Sequence, residues 1–271
     1  MGADKPWKQR PECEGTSHLK KDANPKGRVI IFVTLPELAN EAERFKSIFT
    51  QLLFKSDVYS GLTCDEIKNK LTEVANTDTY NGDAFIMMFI GNGFNEHIIG
   101  RTDTSQWPPN ECDIMAFSEI VATFAWTRAP ALRHKTKQLS PKIEMVADFM
   151  GPIESSLINK LKMLDPKFDF DNTQTHVIYA CREGFRINPY TDVPGPIGSV
   201  SLFGQAFSHT IAQYSAYNSL TEMLAMTLNR METDLMDKDF KQRPEIETFN
   251  ATTLDQFSHY RRCILSQYTS K

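Results

Sequence analysis

The chain has no apolar run that approaches the roughly 18 residues of a membrane-spanning helix, and its mean hydropathy is −0.39. It has no basic excess: 30 Lys and Arg stand against 34 Asp and Glu, a net charge of −4. That balance gives no electrostatic footprint for nucleic acid, and no membrane surface is expected as a partner. Cysteine is scarce, with Cys13, Cys64, Cys112, Cys181 and Cys263. An odd count without metal spacing argues against a disulfide framework and fits a reduced, cytoplasmic protein. Cys64 and Cys112 do not make a zinc pair, and His134, His176, His209 and His259 lack metal-ligand spacing with Cys or Asp. No metal or cofactor is therefore expected. The opening "MGADKPWKQR" lacks the apolar core of a signal peptide. Gly2 also lacks the Ser or Thr four residues on that a myristoylation signal needs.

What is present is enough apolar residue, 41% of 271, to build one large domain with a substantial core. Residues 1–27 are rich in Lys, Glu, Pro and Gly without hydrophobic periodicity and read as a disordered tail. "GRVIIFVTL" opens a buried strand. From Asn40, a plausible N-cap, apolar residues fall at Ala42, Phe45, Ile48, Phe49, Leu52 and Leu53, a helical spacing. "SDVYSG" reads as a short strand. "LTCDEIKNKLTEVA" is an amphipathic helix, with Thr63 and Glu66 placed as a capping box. "DAFIMMFI" has the length and continuous apolarity of a strand buried on both faces, ended by "GNG". "DIMAFSEIVATF" predicts a third helix, and "PKIEMVADFMG" a further strand running into a tight turn. Strand and helix alternate, so the sheet should be largely parallel.

Residues 152–175 are charged and read as a linker. "HVIYA" is another strand, followed by a proline-rich loop from Pro189 to Pro196. Helices are expected over Gly198–Tyr214 and from about Leu220 to Met231, and "RPEIETFNATTL" as a late strand. "PKIEMVADFMG" ends where α/β enzymes commonly display a nucleophile, yet its tip is Phe149.

Four matches in the right order resemble the caspase family. "AFIMMFIGNG" looks like the caspase strand that ends in Ser-His-Gly, and "GFNEHIIG" continues as caspases do after it. "LSPKIEMVADFMG" is similar to the strand leading into Gln-Ala-Cys-Arg/Gln-Gly. "YACREGF", then "GSVSLFGQAFSHTIAQYS" and "AMTLNR", resemble the start of the small subunit. The resemblance spans about residues 28–265 and implies an α/β caspase-like fold: a central, mostly parallel six-stranded sheet between helices, three layers αβα. It divides the chain into a large-subunit-like part at 28–151, the linker at 152–175 and a small-subunit-like part at 176–271. The tail is too short for a death-fold adaptor domain.

Carried over by position, the resemblance removes the chemistry. The family's His falls on Asn92 and the Ser before it on Gly91; the nucleophilic Cys falls on Phe149, and the Gln two places earlier on Ala147. Asn cannot titrate near neutral pH, and Phe has no nucleophilic atom. Asn92 stands 57 residues upstream of Phe149, which fits the roughly 50 residues between the family's His and Cys. The substrate pocket also looks lost. Its first arginine has no counterpart except Arg44, on the helix itself. Its second falls on Pro189, with Arg186 three places off and facing the other side of an extended strand. A substrate carboxylate without bidentate partners is not held.

Other readings stand beside this one. Cys181 in "YACREGF" superficially resembles Ala-Cys-Arg-Gly and could be a reactive thiol of a residual cysteine hydrolase. It lies too far from Asn92, however, and too close to Gly198-Ser199 to leave room for a linker and strand, so a structural cysteine is expected. His97, five residues past Asn92, could be a displaced base or a surface histidine. Asp165, Asp169 and Asp171 could be processing sites or a solvated acidic loop. By resemblance, the dimer edge is the last strand: Pro244, Glu245, Ile246, Glu247, Thr248, Phe249 and Asn250. These features together resemble the inactive decoy caspases of insects, mosquitoes among them. They imply a partner, an active caspase paralogue in a heterodimer, which such a chain would enhance, or else inhibit. A homodimer, or a caspase-fold scaffold with no caspase partner, is the further possibility.

Overall fold

The structure, a computed structural model, describes residues 25–77, 84–94, 97–102, 109–125, 127–129, 136–145, 175–180, 191–193, 198–215, 218, 220–234 and 245–249. Its centre is two parallel strands, β1 (Gly27–Val33) and β3 (Ala84–Phe94), paired from Gly27 opposite Ala84 to Val33 opposite Ile90. β2 (Phe54–Ser60) adds to β1 on one side, and β6 (Thr136–Met145) to β3 on the other, both parallel. β7 (Thr175–Tyr179) continues in parallel beside β6, and β10 (Glu245–Phe249) closes that side antiparallel to β7. The six strands lie in the order β10-β7-β6-β3-β1-β2, all parallel but β10, so the sheet is mostly parallel as the caspase-like fold implies.

The period-two alternation of the central strands distributes two cores. Val29, Ile31 and Val33 of β1, with Ile86, Met88 and Ile90 of β3, face one side. There they meet Phe45 and Phe49 of α1 (Ala39–Gln51), Phe203 and Phe207 of α4 (Leu202–Tyr214), and Met223 and Met231 of α5 (Leu220–Asp234). Ile30 and Phe32, with Phe85, Met87 and Phe89, face the other. That side is covered by Ile67 and Leu71 of α2 (Cys64–Ala75) and by Ile120 and Val121 of α3 (Phe117–Thr123). A strand apolar at every position therefore serves two helical layers, which is why "DAFIMMFI" has no polar face.

Several boundaries differ from expectation. β3 runs through Gly91-Asn92-Gly93 to Phe94, because Gly93 and Phe94 pair with Ile98 and His97 of a short strand, β4 (His97–Ile99). β4 pairs in turn with β5 (Ile114–Ala116), so the third helix begins at Phe117, not Asp113. β6 starts at Thr136, five residues before Pro141, because β3 offers a partner along its whole length. α1 starts at Ala39 with Leu38 at its cap, so Asn40 lies inside the helix. Gly198–Val200 form β9 against β8 (Thr191–Val193), and α4 starts at Leu202. Gly27 already belongs to β1, not to a tail ending at 27, and Thr175 belongs to β7, not to the linker.

Candidate functional site

Asn92 sits near the C-terminal end of β3, the end where parallel sheets present their functional groups. It is half-buried and lies opposite Glu144 of β6. Gly91 before it is buried, and a Cβ built there would collide with Thr34 Oγ1 and the Phe89 ring. Thr34 is itself held in place, its backbone N–H donating to Ile90 O at 3.0 Å. No serine or other side chain fits at 91 until Thr34 moves. Three of the expected positions, Ala147, Phe149 and Pro189, lie outside the described residues, as do Cys181, Arg186, Pro244 and Asn250.

Arg44 lies on α1, 4.0 Å from Glu41 through Nη2. Its Nε and Nη2 are buried without a hydrogen-bond acceptor among the described residues. Its side chain as a whole is 31% exposed.

Glu41 is a feature the sequence reading passed over. Its side chain is fully buried. It accepts from the Ser201 backbone N–H at 2.7 Å and from Ser201 Oγ at 3.3 Å. Ser201 Oγ also accepts from Gly204 N–H at 3.0 Å and so caps α4. A Cβ at Gly204 would strike the Glu41 carboxylate. A buried carboxylate at a helix N-terminus, with the donors of that helix around it, is in the environment where an anion belongs. The signal was present: Glu41 precedes Phe45 by one turn, on the apolar face of α1.

His97 stands on β4, not in an irregular loop, and is half-exposed. It opens on a cleft of about 460 Å³ with Cys64, Asp65, Lys68, Glu111 and Cys112. Cys64, the first residue of α2, donates its thiol to the Asp113 carbonyl at 3.1 Å. Burial pushes its thiol from 9.0 up to about 11, with the Gly100 N–H pulling the other way and Asp113, Asp65 and Cys112 adding to the rise. The α2 cap next to it is the expected capping box: Thr63 N–H donates to Glu66 Oε2 at 2.8 Å, and Glu66 N–H to Thr63 Oγ1 at 3.3 Å. The Thr63 hydroxyl also donates to Glu66 Oε2 at 3.2 Å, and the bonds from the Thr63 N–H and hydroxyl hold the Glu66 carboxyl below its usual range.

Beyond the sheet's last parallel strand, β10 leaves one edge without a neighbour among the described residues. The expected interface residues Glu245, Ile246, Glu247, Thr248 and Phe249 make up that strand. Ile246 lies opposite Ile178 and Phe249 opposite Thr175. Among the described residues, no three His, Cys, Asp or Glu side chains are grouped to hold a metal, and no helix is long and apolar enough to cross a membrane.

No curated protein matches the chain. Residues 31–149 match the family model of the caspase domain, Peptidase C14. With its sheet order and two helical layers, the chain carries a caspase-like domain on an α/β caspase-like fold, which supports its membership of the caspase family.

Proposed function

We propose that this chain is a catalytically inactive caspase homologue that regulates an active caspase by pairing with it through the edge of β10. The reading rests on the sequence resemblance: carried over by position, the family's His and Cys fall on Asn92 and Phe149, neither of which can move a proton or attack a carbonyl. Gly91 supports it from the packing side, because Thr34 fills the place of a serine side chain. A chain that has lost its dyad keeps what chemistry does not require, namely the fold and its open edge. The edge of β10, without a neighbouring strand among the described residues, is a template for a second strand. If the chain binds the competent form of its partner more tightly than the zymogen, it activates; with the opposite preference it inhibits. Activation by heterodimerisation, with the inactive subunit ordering the live one's loops, is the reading we favour.

The test is the rate at which an active caspase cleaves a fluorogenic Asp peptide while this chain is titrated in. A saturable rise is expected, with no hydrolysis by the chain alone. A saturable fall makes it a dominant-negative subunit. A flat response with every caspase tried removes the pairing model and leaves a caspase-fold scaffold. Hydrolysis by the chain alone overturns the inactive reading.

A further inference from the structure

Cys64 and Cys112 line one cleft. Cys112 lies in the short 3-10 turn Glu111–Asp113 and is exposed; Cys64 lies at the start of α2 and is buried. They belong to distant parts of the sequence, yet the Cys64 thiol donates to the backbone oxygen of Asp113, the residue that follows Cys112. The cleft between α2, the 3-10 turn and β4, at about 460 Å³, has room for a small peptide disulfide to reach the exposed sulfur. Its wall also carries His97 and Lys68, the latter paired with Glu119 at 3.3 Å, together with Asp65 and Glu111.

We propose that Cys112 and Cys64 are a redox pair, in which a low-molecular-weight disulfide of the glutathione class first modifies Cys112, and Cys64 then closes an intramolecular disulfide. In the first step the Cys112 thiolate attacks one sulfur of glutathione disulfide; the S–S bond breaks and one glutathione thiolate leaves. In the second, Cys64 gives its proton to solvent and its sulfur attacks that of Cys112, releasing the second glutathione thiolate. Two protein thiols are oxidised and one small disulfide is reduced to two thiols. The order follows from exposure, since Cys112 is open and Cys64 is buried with its thiol hydrogen-bonded. The raised pKa of Cys64 makes the second step the slower one near neutral pH. Closure would tie the start of α2 to the turn ahead of β5. β5 pairs with β4, and β4 with the end of β3, so the link reaches the strand that carries Asn92.

The full-length protein, incubated with glutathione disulfide, quenched with an alkylating agent and digested with trypsin without reduction, reads the outcome by mass spectrometry. The expected product is a linkage between the peptides spanning residues 56–68 and 102–128, with a loss of two free thiols. Cys64→Ser should leave one glutathione on Cys112, and Cys112→Ser should leave Cys64 unmodified; thermal melts check that both variants fold. If a variant does not fold, the wild-type map alone decides. Stable glutathione on Cys112 of the wild type without closure, a linkage to any other cysteine, or no modification at Cys112 overturns the proposal.

Discussion

Leu53 has φ of 67°, in the left-handed region that only glycine and a few polar residues enter at little cost. It stands just past the C-cap of α1, the place where helices most often carry glycine, and its side chain is 38% exposed. Relief of the Cβ clash outweighs the extra freedom that glycine gives the unfolded chain. Leu53→Gly should therefore raise stability by about 0.5–1 kcal/mol, read as a higher urea midpoint with an unchanged slope. Cys64 makes a second single-residue expectation. Its thiol holds its proton more tightly folded than unfolded, since 9.0 becomes about 11. Between those values the unfolded chain binds fewer protons, so stability falls as pH rises through that window and is unaffected below it. Melts from pH 8 to 11 should show a steeper decline for the wild type than for Cys64→Ser; equal slopes would contradict the burial argument.

At the scale of elements, α1 and α4 are joined head to head by Glu41 and Ser201. Glu41→Ala would leave the Ser201 N–H unpaired in a buried place and should cost about 2–4 kcal/mol. Glu41→Gln keeps the shape and an acceptor, so its cost should be smaller, roughly 1–2 kcal/mol. Denaturant curves that rank the two in the other order would remove the clamp. The same pair explains what could be read in advance. The α2 capping box involves residues three apart, and its grammar is local. The central strands declare themselves through unbroken apolar runs, and with them the place of Asn92. The start of α1 does not, because its first turn is organised by a serine 160 positions away. β4, β5, β8 and β9 have three residues each, too few for any periodicity to register. The Cys64 and Cys112 cleft is of the same kind: sequence spacing speaks only against zinc, whereas the fold brings both thiols to one wall.

At the scale of the whole molecule, one core is shared by both parts of the chain. Ile178, Phe203, Phe207 and Met223 pack with Val29, Ile31, Phe45 and Ile86. Burying a large apolar side chain contributes roughly 1.5–3 kcal/mol, and several from each part act together. A chain cut at a protease site introduced between residues 152 and 174 should therefore stay assembled. The two fragments should co-elute in gel filtration without denaturant and separate only in urea. Early separation would mean that the shared core does not hold them. This expectation does not depend on whether natural processing occurs there.

The sheet has two ends of different character. At one is β10; at the other is β2, whose Lys55 is exposed and whose Asp57 is engaged by Arg28 at 3.3 Å. Charged side chains on an outer strand discourage a further strand from adding. Joining two sheets at their β10 ends by a two-fold axis would turn both β2 ends outward, where growth stops. Under the pairing proposed above, two subunits would complete the assembly, and it would not propagate into a filament.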